Sequence, residues 1–381
     1  MRDQSVLASG LLEQIGEAES RLTHSTRNGR GEMEKTEKTQ AGGNHQEGFQ
    51  LIGSVLGETG ALQDTGELYG IGHRVVHGGE KFREPAIIKQ EVIETIRELI
   101  PLAPLHNPPN LLGIEVALKA APNVPQVAVF DTAFHQSIPP HAFRYALPQG
   151  FYKTLQVRRY GFHGTSHGYV AQKAALYLKR PLESLNLITL HLGNGASIAA
   201  IKNGESIDTS MGMTPLEGLI MGTRSGDMDP AIIFYLSRKT GLSNDEIESL
   251  LNKQSGLKGI CDVNDMREIE KLAAQGSAAA RLAINMYCYR IKKYIGAYVA
   301  VLGSLDALVF TAGIGENAAE IRTRSCENLT GLGIEIDLQK NTQSSSEVLE
   351  IQSRKSTVSV LVIPTNEELE IAVQTVDTIQ A

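Results

Sequence analysis

The stretch LITLHLGNGASIAAI, residues 187–201, consists of two apolar runs separated by Gly193-Asn194-Gly195. Asn-Gly between apolar runs is the strongest short-range signal for a β-hairpin, so the stretch predicts two buried antiparallel strands. A glycine-rich turn also leaves backbone N–H groups available to bind a phosphate. A plain structural hairpin explains the same residues, and both interpretations stay open on this stretch alone.

A second glycine-rich stretch, LVFTAGIGEN at residues 308–317, predicts a strand, a glycine loop and the start of a helix. Its Gly313-x-Gly315-x-x-Ala318 pattern fits the dinucleotide fingerprint, with an acidic residue, Glu335 or Asp337, roughly 20 residues further on. A dinucleotide-binding domain continues with further β–α units after this fingerprint, and here only residues 338–381 remain. The pattern therefore favours nucleotide binding over NAD binding.

Apolar runs and helical spacing alternate along the whole chain. Strands are predicted at residues 6–15, 127–130, 187–192, 197–201, 307–311 and 358–363, and helices at 91–100, 111–120 and 277–302. The polar residues 20–47 predict a solvated hairpin or loop, and Asn107-Pro-Pro-Asn110 is expected to break the chain. Ser243-x-x-Glu246 predicts a capping box, and Asp229-Pro230 predicts an N-cap followed by proline at the first helical position. The pattern indicates an α/β protein of two lobes, with a boundary near residue 134.

Composition excludes several classes of protein. The 381 residues are 41% hydrophobic and carry a formal net charge of -7, which argues against a general nucleic-acid or membrane-surface binder. Three widely spaced cysteines without a C-x-x-C motif indicate neither a disulfide framework nor a zinc site. No signal peptide is recognisable, and the longest apolar stretch, residues 294–315, is interrupted by Asp306. We therefore expect a soluble, cytoplasmic protein.

Charged and polar side chains beside the glycines are candidate anion ligands. Arg74 and Arg224 each lie among glycines, where a guanidinium can bind a carboxylate or phosphate in a bidentate way, although a surface arginine fits too. Asp131 follows the predicted strand 127–130, at the end where open α/β sheets bind ligands. His163 precedes Thr165-Ser166, an expected helix cap that favours anions. The residues support an anion-handling nucleotide enzyme without a Walker motif or a protein-kinase signature.

Histidines at i,i+4 spacing raise the question of a metal site. His73/His77 and His163/His167 have this spacing, and eight of the ten histidines lie between His73 and His191. Zinc is disfavoured because neither a nearby cysteine nor an H-E-x-x-H pattern accompanies them. Most are expected to be satisfied core histidines, with one or two contacting anions.

Eight segments resemble the acetate kinases, in the family's order. They are GHRVVHGGEKF (72–82), LAPLHNPPN (102–110), FDTAFHQ (130–136), YGFHGTSH (160–167), HLGNGASI (191–198), TPLEGLIMGTRSGDMDPA (214–231), FTAGIGEN (310–317) and IPTNEEL (363–369). The resemblance covers residues 6–372 and implies two ribonuclease-H-like lobes of the actin and sugar-kinase superfamily with a nucleotide cleft between them. It implies a first lobe of residues 1–133 completed by 366–381, a nucleotide-binding and dimerising lobe of residues 134–365, and a homodimer.

The resemblance also implies roles for individual residues. Arg74 and Arg224 would hold the carboxylate and the moving phosphoryl group, His163 would hydrogen-bond that group in the transition state, and Asp131 is the family's catalytic carboxylate. Glu367 would help to bind Mg²⁺ or Mn²⁺. A small apolar pocket for the methyl group would be lined by Val76, Leu105, Phe162 and Pro215. The residues implied to bind ATP or ADP are His191, Leu192, Gly193, Asn194, Gly195, Asp265, Met266, Arg267, Gly313, Ile314, Gly315, Glu316 and Asn317.

The implied reaction is phosphoryl transfer from ATP to acetate, giving acetyl phosphate and ADP. Carboxylates with a pKa near ~4 to 5 are already ionised at neutral pH, so no strong general base is required. We therefore interpret Asp131 as orienting an arginine or a metal-bound water rather than removing a proton. Val76 and Pro215 suit acetate, while propionate, one methylene larger, remains the alternative substrate.

The chain departs from the family at its start. Family members begin with a strand, a Ser-rich turn and a second strand, which carry an Asn that contacts Mg²⁺ and phosphate and a Lys that contacts the nucleotide. MRDQSVLASGLLEQIG matches the strand after that hairpin. Either the start codon is misassigned, or the chain is truncated and forms acetyl phosphate weakly. From the sequence, a small-carboxylate kinase, a nicotinamide dehydrogenase and an inactive nucleotide-binding remnant all stay open, and the resemblance favours the first.

Overall fold

A computed structural model describes residues 4–15, 18–27, 31–41, 43–104 and 106–381. The chain divides into two compact units, one of Met1–Phe130 with Glu368–Ala381 and one of Asp131–Glu367. The corresponding boundaries implied by the family resemblance are 133/134 and 365/366.

The first unit begins with antiparallel strands and continues as mixed α/β structure. In chain order its elements are β1 (Ala8–Glu13), β2 (Glu19–Arg27), β3 (Met33–Ala41), α1 (His45–Glu58), β4 (Ile71–Val75), β5 (Ala86–Ile87), α2 (Gln90–Glu98), α3 (Asn107–Ala120) and β6 (Gln126–Phe130). β1, β2 and β3 form one antiparallel sheet, and β4, β6 and β5 form a second, in which β4 and β6 are parallel. The predicted strands at 6–15 and 127–130 and the predicted hairpin within 20–47 are confirmed; α1, which starts at the end of that polar stretch, was not predicted.

The expected chain break at Asn107–Asn110 is wrong. These four residues form the first turn of α3, with both prolines in that turn. Proline is tolerated there because the first N–H groups of a helix have no partner within the helix, and its fixed φ suits the helix. The interruption between α2 and α3 lies earlier, in a short 3₁₀ turn at Ile100–Leu102 and the residues after it.

The second unit is built on one mixed sheet. Its elements are α4 (Pro140–Phe143), α5 (Gln149–Leu155), α6 (Gly164–Leu178), β7 (Asn186–Leu192), β8 (Ala196–Lys202), β9 (Glu205–Thr209), α7 (Ala231–Thr240), α8 (Asn244–Lys253), α9 (Gly256–Cys261), α10 (Met266–Ala274), α11 (Ala278–Leu302), β10 (Ala307–Thr311), α12 (Ala312–Asn317), α13 (Ala319–Cys326), α14 (Leu338–Asn341), β11 (Leu349–Glu350) and β12 (Ser359–Val362). A last helix, α15 (Glu367–Gln380), returns the chain to the first unit. The predicted strands, the hairpin at 187–201, the long helix and the capping box at Ser243 are confirmed.

Helices cover both faces of this sheet. The strand order is β11-β12-β10-β7-β8-β9, with β10 parallel to both β7 and β12. On one face, Val170, Ala171 and Ala174 of α6 pack on buried side chains of β7, β8, β10 and β12. α11 packs against β7 and β8. Because the strands are covered on both sides, their sequences are continuous apolar runs rather than alternating apolar and polar residues.

Three segments that follow the parallel strands lie at one edge of the sheet. His191 at the end of β7 pairs with Thr311 at the end of β10, and Val362 at the end of β12 pairs with Phe310. The residues that follow these strands therefore emerge side by side, at the carboxyl edge where open α/β sheets bind ligands. They include the turn at 193–195, the helix α12 and the segment that leads to Glu367.

The start of α7 differs by one residue from the prediction. α7 begins at Ala231 with Pro230 at the cap position, although Asp229 Oδ1 still accepts a hydrogen bond from the Ala231 N–H at 2.9 Å. Helix ends are uncertain by this amount between definitions. Within the described part of the chain, none of the helices combines the length and the apolarity that crossing a membrane requires.

Candidate active site

A cavity of about 720 Å³ opens at the carboxyl edge of the six-stranded sheet. Its lining consists of Gly193, Asn194, Asn264, Asp265, Met266, Arg267, Glu270, Gly313, Ile314, Asn317 and Ala318. The family resemblance implies eight of these as nucleotide ligands, and the fold brings their three separate segments together. Asn264, Glu270 and Ala318 are not among them; Glu270 lies four residues after Met266 on α10, a spacing that places both on one helix face.

The remaining implied nucleotide ligands lie next to this lining rather than in it. As far as the described residues define the cavity, its lining leaves out His191, Leu192, Gly195, Gly315 and Glu316. Leu192 is fully buried in the sheet. Glu316 Oε1 accepts a hydrogen bond from the Thr365 N–H at 3.1 Å, which ties this part of the site to the segment before Glu367.

Asp265 fixes the start of α10 at the cavity rim. It is the N-cap residue, and its Oδ1 accepts the Arg267 N–H at 2.9 Å. The Arg267 guanidinium donates to both carboxylate oxygens, at 3.0 and 2.6 Å. These side-chain hydrogen bonds from Arg267 lower the pKa of Asp265 to about 2. The pair presents one ionised carboxylate and one exposed guanidinium beside the cavity.

The predicted glycine loop at 312–317 is in fact the short helix α12, and a buried arginine holds it. Arg322 Nη1 donates to the carbonyl oxygens of Gly315 and Glu316 at 2.9 and 2.8 Å. Its Nε and Nη2 donate to Oδ1 and O of Asn341 at 2.7 and 2.6 Å. Arg322 is 1% exposed, and burial lowers its pKa to about 10. No local sequence pattern identifies this residue, because its partners are backbone carbonyls and an amide.

Arg224 and His163 meet at Gly195. A Cβ atom added to Gly195 would lie 2.7 Å from Arg224 Nη2 and 3.3 Å from His163 Nε2. Only glycine leaves room for both side chains here, which explains the second glycine of the Gly-Asn-Gly turn. Two nitrogen atoms that can donate hydrogen bonds therefore converge beside a turn that also lines the cavity.

Backbone contacts hold Arg224 in this position. Its Nη1 donates to the carbonyl oxygen of Pro215 at 2.8 Å, and burial lowers the pKa of its guanidinium. The Gly222 N–H donates to the Asn194 carbonyl at 2.9 Å, which joins the arginine loop to the β7–β8 turn. Pro215 and Arg224, both implied as substrate contacts by the sequence, are thus neighbours.

His163 occupies the cap position of α6, with a left-handed backbone at φ 56°. The expected cap by Thr165 and Ser166 is wrong, because both residues lie inside the helix and their hydroxyls have other partners. Thr165 Oγ1 donates to Asp131 Oδ1 at 3.3 Å. Ser166 Oγ lies 2.8 Å from His191 Nδ1 and 2.9 Å from Thr365 Oγ1.

Histidines and hydroxyls form a buried network around His163. Its Nδ1 lies 2.8 Å from Ser197 Oγ, and the same oxygen lies 2.8 Å from Nε2 of His167. His167 Nδ1 lies 2.7 Å from Thr189 Oγ1. The rings of His163 and His191 stack with centroids 4.1 Å apart. The i,i+4 pair His163/His167 is thus joined through a serine.

His135 supports the backbone before His163. Its Nε2 lies 3.0 Å from the Phe162 carbonyl oxygen, which can only accept, so Nε2 carries the proton and Nδ1 accepts from Ser206 Oγ at 2.8 Å. The ring is fully buried, and this burial lowers the pKa of His135 to about 4. A neutral His135 therefore anchors the buried Phe162, one of the implied pocket residues.

Asp131 and the segment before Glu367 contact the first turn of α6. Asp131 is 1% exposed and accepts from Thr165, and its carbonyl accepts the Gly164 N–H at 2.9 Å. Thr365, two residues before Glu367, contacts the adjacent Ser166. Among the described residues, no group of three or more His, Cys, Asp or Glu side chains is arranged to hold a metal ion.

A partly buried ion pair holds the loop that carries Pro215, and the sequence analysis missed it. Arg159 Nη2 donates to Glu217 Oε1 at 2.6 Å, and Tyr145 donates to the other carboxylate oxygen. Arg159 Nη1 also donates to the carbonyls of residues 209–211. Arg159 and Glu217 are 58 positions apart in the sequence, so only the fold brings them together.

Residues of the first unit account for the other implied substrate contacts. Arg74 lies in β4 with an exposed side chain, opposite Val129 of β6. Val76 follows the same strand, and its N–H donates to Asn110 Oδ1 at 3.1 Å. Leu105 lies outside the described residues.

Known proteins resemble this chain over nearly its whole length. The sequence profile of the Acetokinase family matches residues 1–373. An acetate kinase from Syntrophobacter fumaroxidans is 55% identical over 99% of this chain and 92% of its own length. One from Sulfurovum sp. is 56% identical over 98% of this chain and 93% of its own length.

Solved structures show the same fold. A crystal structure of Porphyromonas gingivalis acetate kinase superposes with a TM-score of 0.91 at 45% identity, covering 98% of this chain and 94% of that one. A propionate kinase from Francisella tularensis gives 0.91 at 45% identity, covering 97% and 93%. The fold is the α/β, actin-like ATPase fold of these kinases. The family's enzymes are phosphotransferases that use a carboxyl group as acceptor and ATP as co-substrate. This chain belongs to the acetokinase family.

Proposed function

We propose that this chain is an acetate kinase, which transfers the γ-phosphoryl group of ATP to acetate in a reversible, direct in-line reaction. One observation carries the proposal: Arg224 Nη2 and His163 Nε2 converge on Gly195, at the turn that lines a cavity large enough for a nucleotide. An acetate oxygen forms the new bond to phosphorus while the bond to the β–γ bridging oxygen breaks. The electron pair of the broken bond stays on ADP.

The assigned residues supply charge and position rather than a base. In phosphoryl transfer the protein mostly orients the reactants and stabilises the charge on the transferring group. We assign Arg224 and His163 to that group, and Arg74 to the carboxylate of acetate. Acetate is already ionised, so no proton needs to leave it. We assign the apolar contacts with the methyl group to Val76, Leu105, Phe162 and Pro215.

The nucleotide is assigned to the cavity. Gly193–Gly195 would contact the phosphates through the backbone and Asn194, and α12 with Asp265–Arg267 would hold the adenosine part. Removing Arg224 tests this division of roles: Arg224→Ala should lower kcat by about 10²-fold or more, since one transition-state donor contributes that much. The same change at the exposed Arg354 is the matched control and should leave kcat unchanged. Equal activity of the Arg224 variant and the parent would contradict the assignment.

Glu367 is assigned to a divalent cation, Mg²⁺ or Mn²⁺. The donor set fits Mg²⁺, which usually takes one or two carboxylates and completes its shell with substrate phosphates and water. When bound, the ion neutralises phosphate charge during transfer. Asp131 would orient Arg224 or a metal-bound water, because no base is needed. Asp131→Asn should then change the Mg²⁺ dependence of the rate. A near-normal rate with a near-normal Mg²⁺ dependence would contradict the orienting role of Asp131.

Propionate is a second candidate acceptor, because the Francisella propionate kinase resembles this chain as closely as the Porphyromonas acetate kinase does. In a pocket that accommodates both acids, burial of the extra methylene would favour propionate by about 0.8 kcal/mol, about fourfold, so a preference for acetate requires a pocket too small for the added group. We expect kcat/KM to favour acetate with measurable turnover of propionate. A higher kcat/KM for propionate would reassign the substrate.

We propose a cytoplasmic homodimer. The three cysteines are buried free thiols, which fits a reducing compartment. Leu282, Met286 and Tyr289 are exposed at i, i+4 and i+7 on α11, and Phe234 and Tyr235 are exposed on α7. Such an apolar surface is typical of an interface. Light scattering should give twice the mass of one chain for the parent protein. For Tyr289→Glu it should give the mass of a single chain.

A further inference from the structure

Four side chains of the second unit form one continuous hydrogen-bonded row. It runs from Thr189 Oγ1 to His167 Nδ1 at 2.7 Å, and from His167 Nε2 to Ser197 Oγ at 2.8 Å. The last hydrogen bond of the row joins Ser197 Oγ to His163 Nδ1 at 2.8 Å. Thr189, His167 and Ser197 are fully buried, so none of them can exchange a lost partner for water. We call these four residues the histidine row.

A neutral imidazole has one N–H and one bare nitrogen, and a hydroxyl has one proton to donate. The histidine row can therefore run in two directions. In the first, Thr189 donates to His167, His167 Nε2–H donates to Ser197, and Ser197 donates to Nδ1 of His163. In the second, every one of these bonds is reversed, and His163 carries its proton on Nδ1.

The two directions differ at the Thr189 end. Within the residues that the structure describes, the Thr189 hydroxyl has its hydrogen bond to His167 and no other. In the first direction that bond uses the hydroxyl proton. In the second, Thr189 becomes the acceptor and its proton is left without a partner in the interior, which costs more than leaving a lone pair unused. The first direction gives the protons of Thr189, His167 and Ser197 each an acceptor within the row.

The row requires that His167 stays neutral, and its surroundings favour this. Burial holds the pKa of His167 well below its usual value, and the nearby His135 and His191 act in the same direction. A charged His167 would donate from both nitrogens, so it could not accept the hydrogen bond from Thr189. The geometry and the burial thus agree on a single protonation pattern.

We propose that Thr189, His167 and Ser197 are positioning residues that hold the proton of His163 on Nε2, the nitrogen beside Gly195 and Arg224. The inference rests on the proposed function, since an Nε2–H at this place is the donor that a transferring phosphoryl group needs. None of the three residues touches the substrate in this account. They determine which nitrogen of His163 can donate.

The tautomer can be measured directly without ATP or acetate. Protein labelled with ¹⁵N in histidine gives nitrogen shifts that distinguish protonated from bare ring nitrogens, with His163→Gln assigning the signals. We expect a protonated Nε2 and a bare Nδ1 at His163. A proton on Nδ1 in the parent protein would overturn the inference. Because the measurement involves no turnover, absence of acetyl phosphate formation would count against the proposed function alone.

Two substitutions at Thr189 separate hydrogen bonding from packing. Thr189→Val keeps the shape and loses the hydroxyl, whereas Thr189→Ser keeps the hydroxyl and loses a methyl group. We expect the valine variant to show the Nδ1–H form of His163 and about a tenfold lower kcat with KM for acetate unchanged, and the serine variant to keep the Nε2–H form. Thr95→Val, a buried threonine in α2, is the control and should change neither signal nor rate.

The reverse ranking, with valine like the parent and serine impaired, would overturn the inference in favour of a packing role. If the valine variant does not fold, the tautomer of the parent protein still decides the question.

Discussion

The imidazole rings of His163 and His191 stack with their centroids 4.1 Å apart and their planes 19° from parallel. His191 is itself fixed, because its Nδ1 lies 2.8 Å from Ser166 Oγ in α6. A stacked neighbour restricts the plane of the His163 ring, and with it the direction in which Nε2 points. The ring of His191 therefore contributes to the site by its shape as well as by its nitrogen atoms.

Substitutions at His191 separate these two contributions. His191→Phe keeps an aromatic ring against His163 and loses the bond to Ser166, whereas His191→Ala loses both. A stacked aromatic pair contributes about 0.5–1.5 kcal/mol beyond its buried area, so kcat should be up to about tenfold higher for Phe than for Ala. Steady-state kinetics at saturating ATP and acetate measure this ratio. Equal rates for the two variants would show that the stack does not orient His163.

Gly195→Ala should impair catalysis with little loss of stability. The new methyl group would lie 2.7 Å from Arg224 Nη2 and 3.3 Å from His163 Nε2, so at least one of these nitrogens must move. A displacement of about 1 Å in such a site costs about 10² in rate. Gly296→Ala, in α11 with nothing within 4 Å of the added atom, is the control and should keep full activity. A kcat for Gly195→Ala within threefold of the parent would contradict the convergence at this glycine.

Arg322→Lys should weaken ADP binding although Arg322 does not line the cavity. A lysine ammonium cannot reproduce the fork that donates to Gly315, Glu316 and Asn341, so buried carbonyls lose partners. We expect the Kd for ADP, from calorimetry, to rise about tenfold, and unfolding free energy to fall by about 3 kcal/mol. Arg324→Lys on the same helix affects an exposed ion pair with Glu320 and an exposed hydrogen bond to Asn285, and it should be nearly neutral. Unchanged ADP affinity in Arg322→Lys would sink the proposed support of α12.

Acid should destabilise the protein in part through His135. Its pKa is about 4 when folded and about 6.5 when unfolded, so between these values only the unfolded chain binds the proton. Stability therefore falls as the pH falls through this window, by about 1.4 kcal/mol per pH unit for this group. His135→Gln, which can still pair with Phe162 and Ser206, should reduce the slope by that amount in urea titrations at pH 4.5 to 6.5.

The slope of the parent protein, measured in the same titrations, is the reference for His135→Gln. Carboxyl groups that titrate nearby are common to parent and variant and cancel in the difference. A slope unaffected by His135→Gln would mean that this histidine is not buried as a neutral ring.

The features that were predictable from the sequence depend on neighbouring residues. The β7–β8 hairpin follows from Asn194-Gly195 between apolar runs, and α11 follows from an apolar periodicity over 25 residues. The error at Asn107 has a local origin too, since two prolines fit the first turn of a helix as well as a break. Motifs shared with a known family supplied the candidate ligands, and eight of those line one cavity.

The features that were missed depend on pairs distant in sequence. Ser197 joins His163 and His167 across 34 and 30 positions, and Ser166 joins His191 across 25. A buried serine or threonine carries no pattern that names its partner. The helical form of α12 was missed for the same reason, because Arg322 binds its carbonyls from another helix.

The identity of the phosphorylated product distinguishes transfer to acetate from hydrolysis of ATP. The chain is incubated with ATP, Mg²⁺ and acetate, and the phosphorus species are followed by ³¹P NMR, with omission of acetate and Arg224→Ala as controls. We expect an acetyl phosphate signal that grows in step with ADP, is absent without acetate, and grows at least about 10²-fold more slowly with Arg224→Ala. ADP formed at the same rate without acetate, with inorganic phosphate as the partner product, would contradict transfer to acetate.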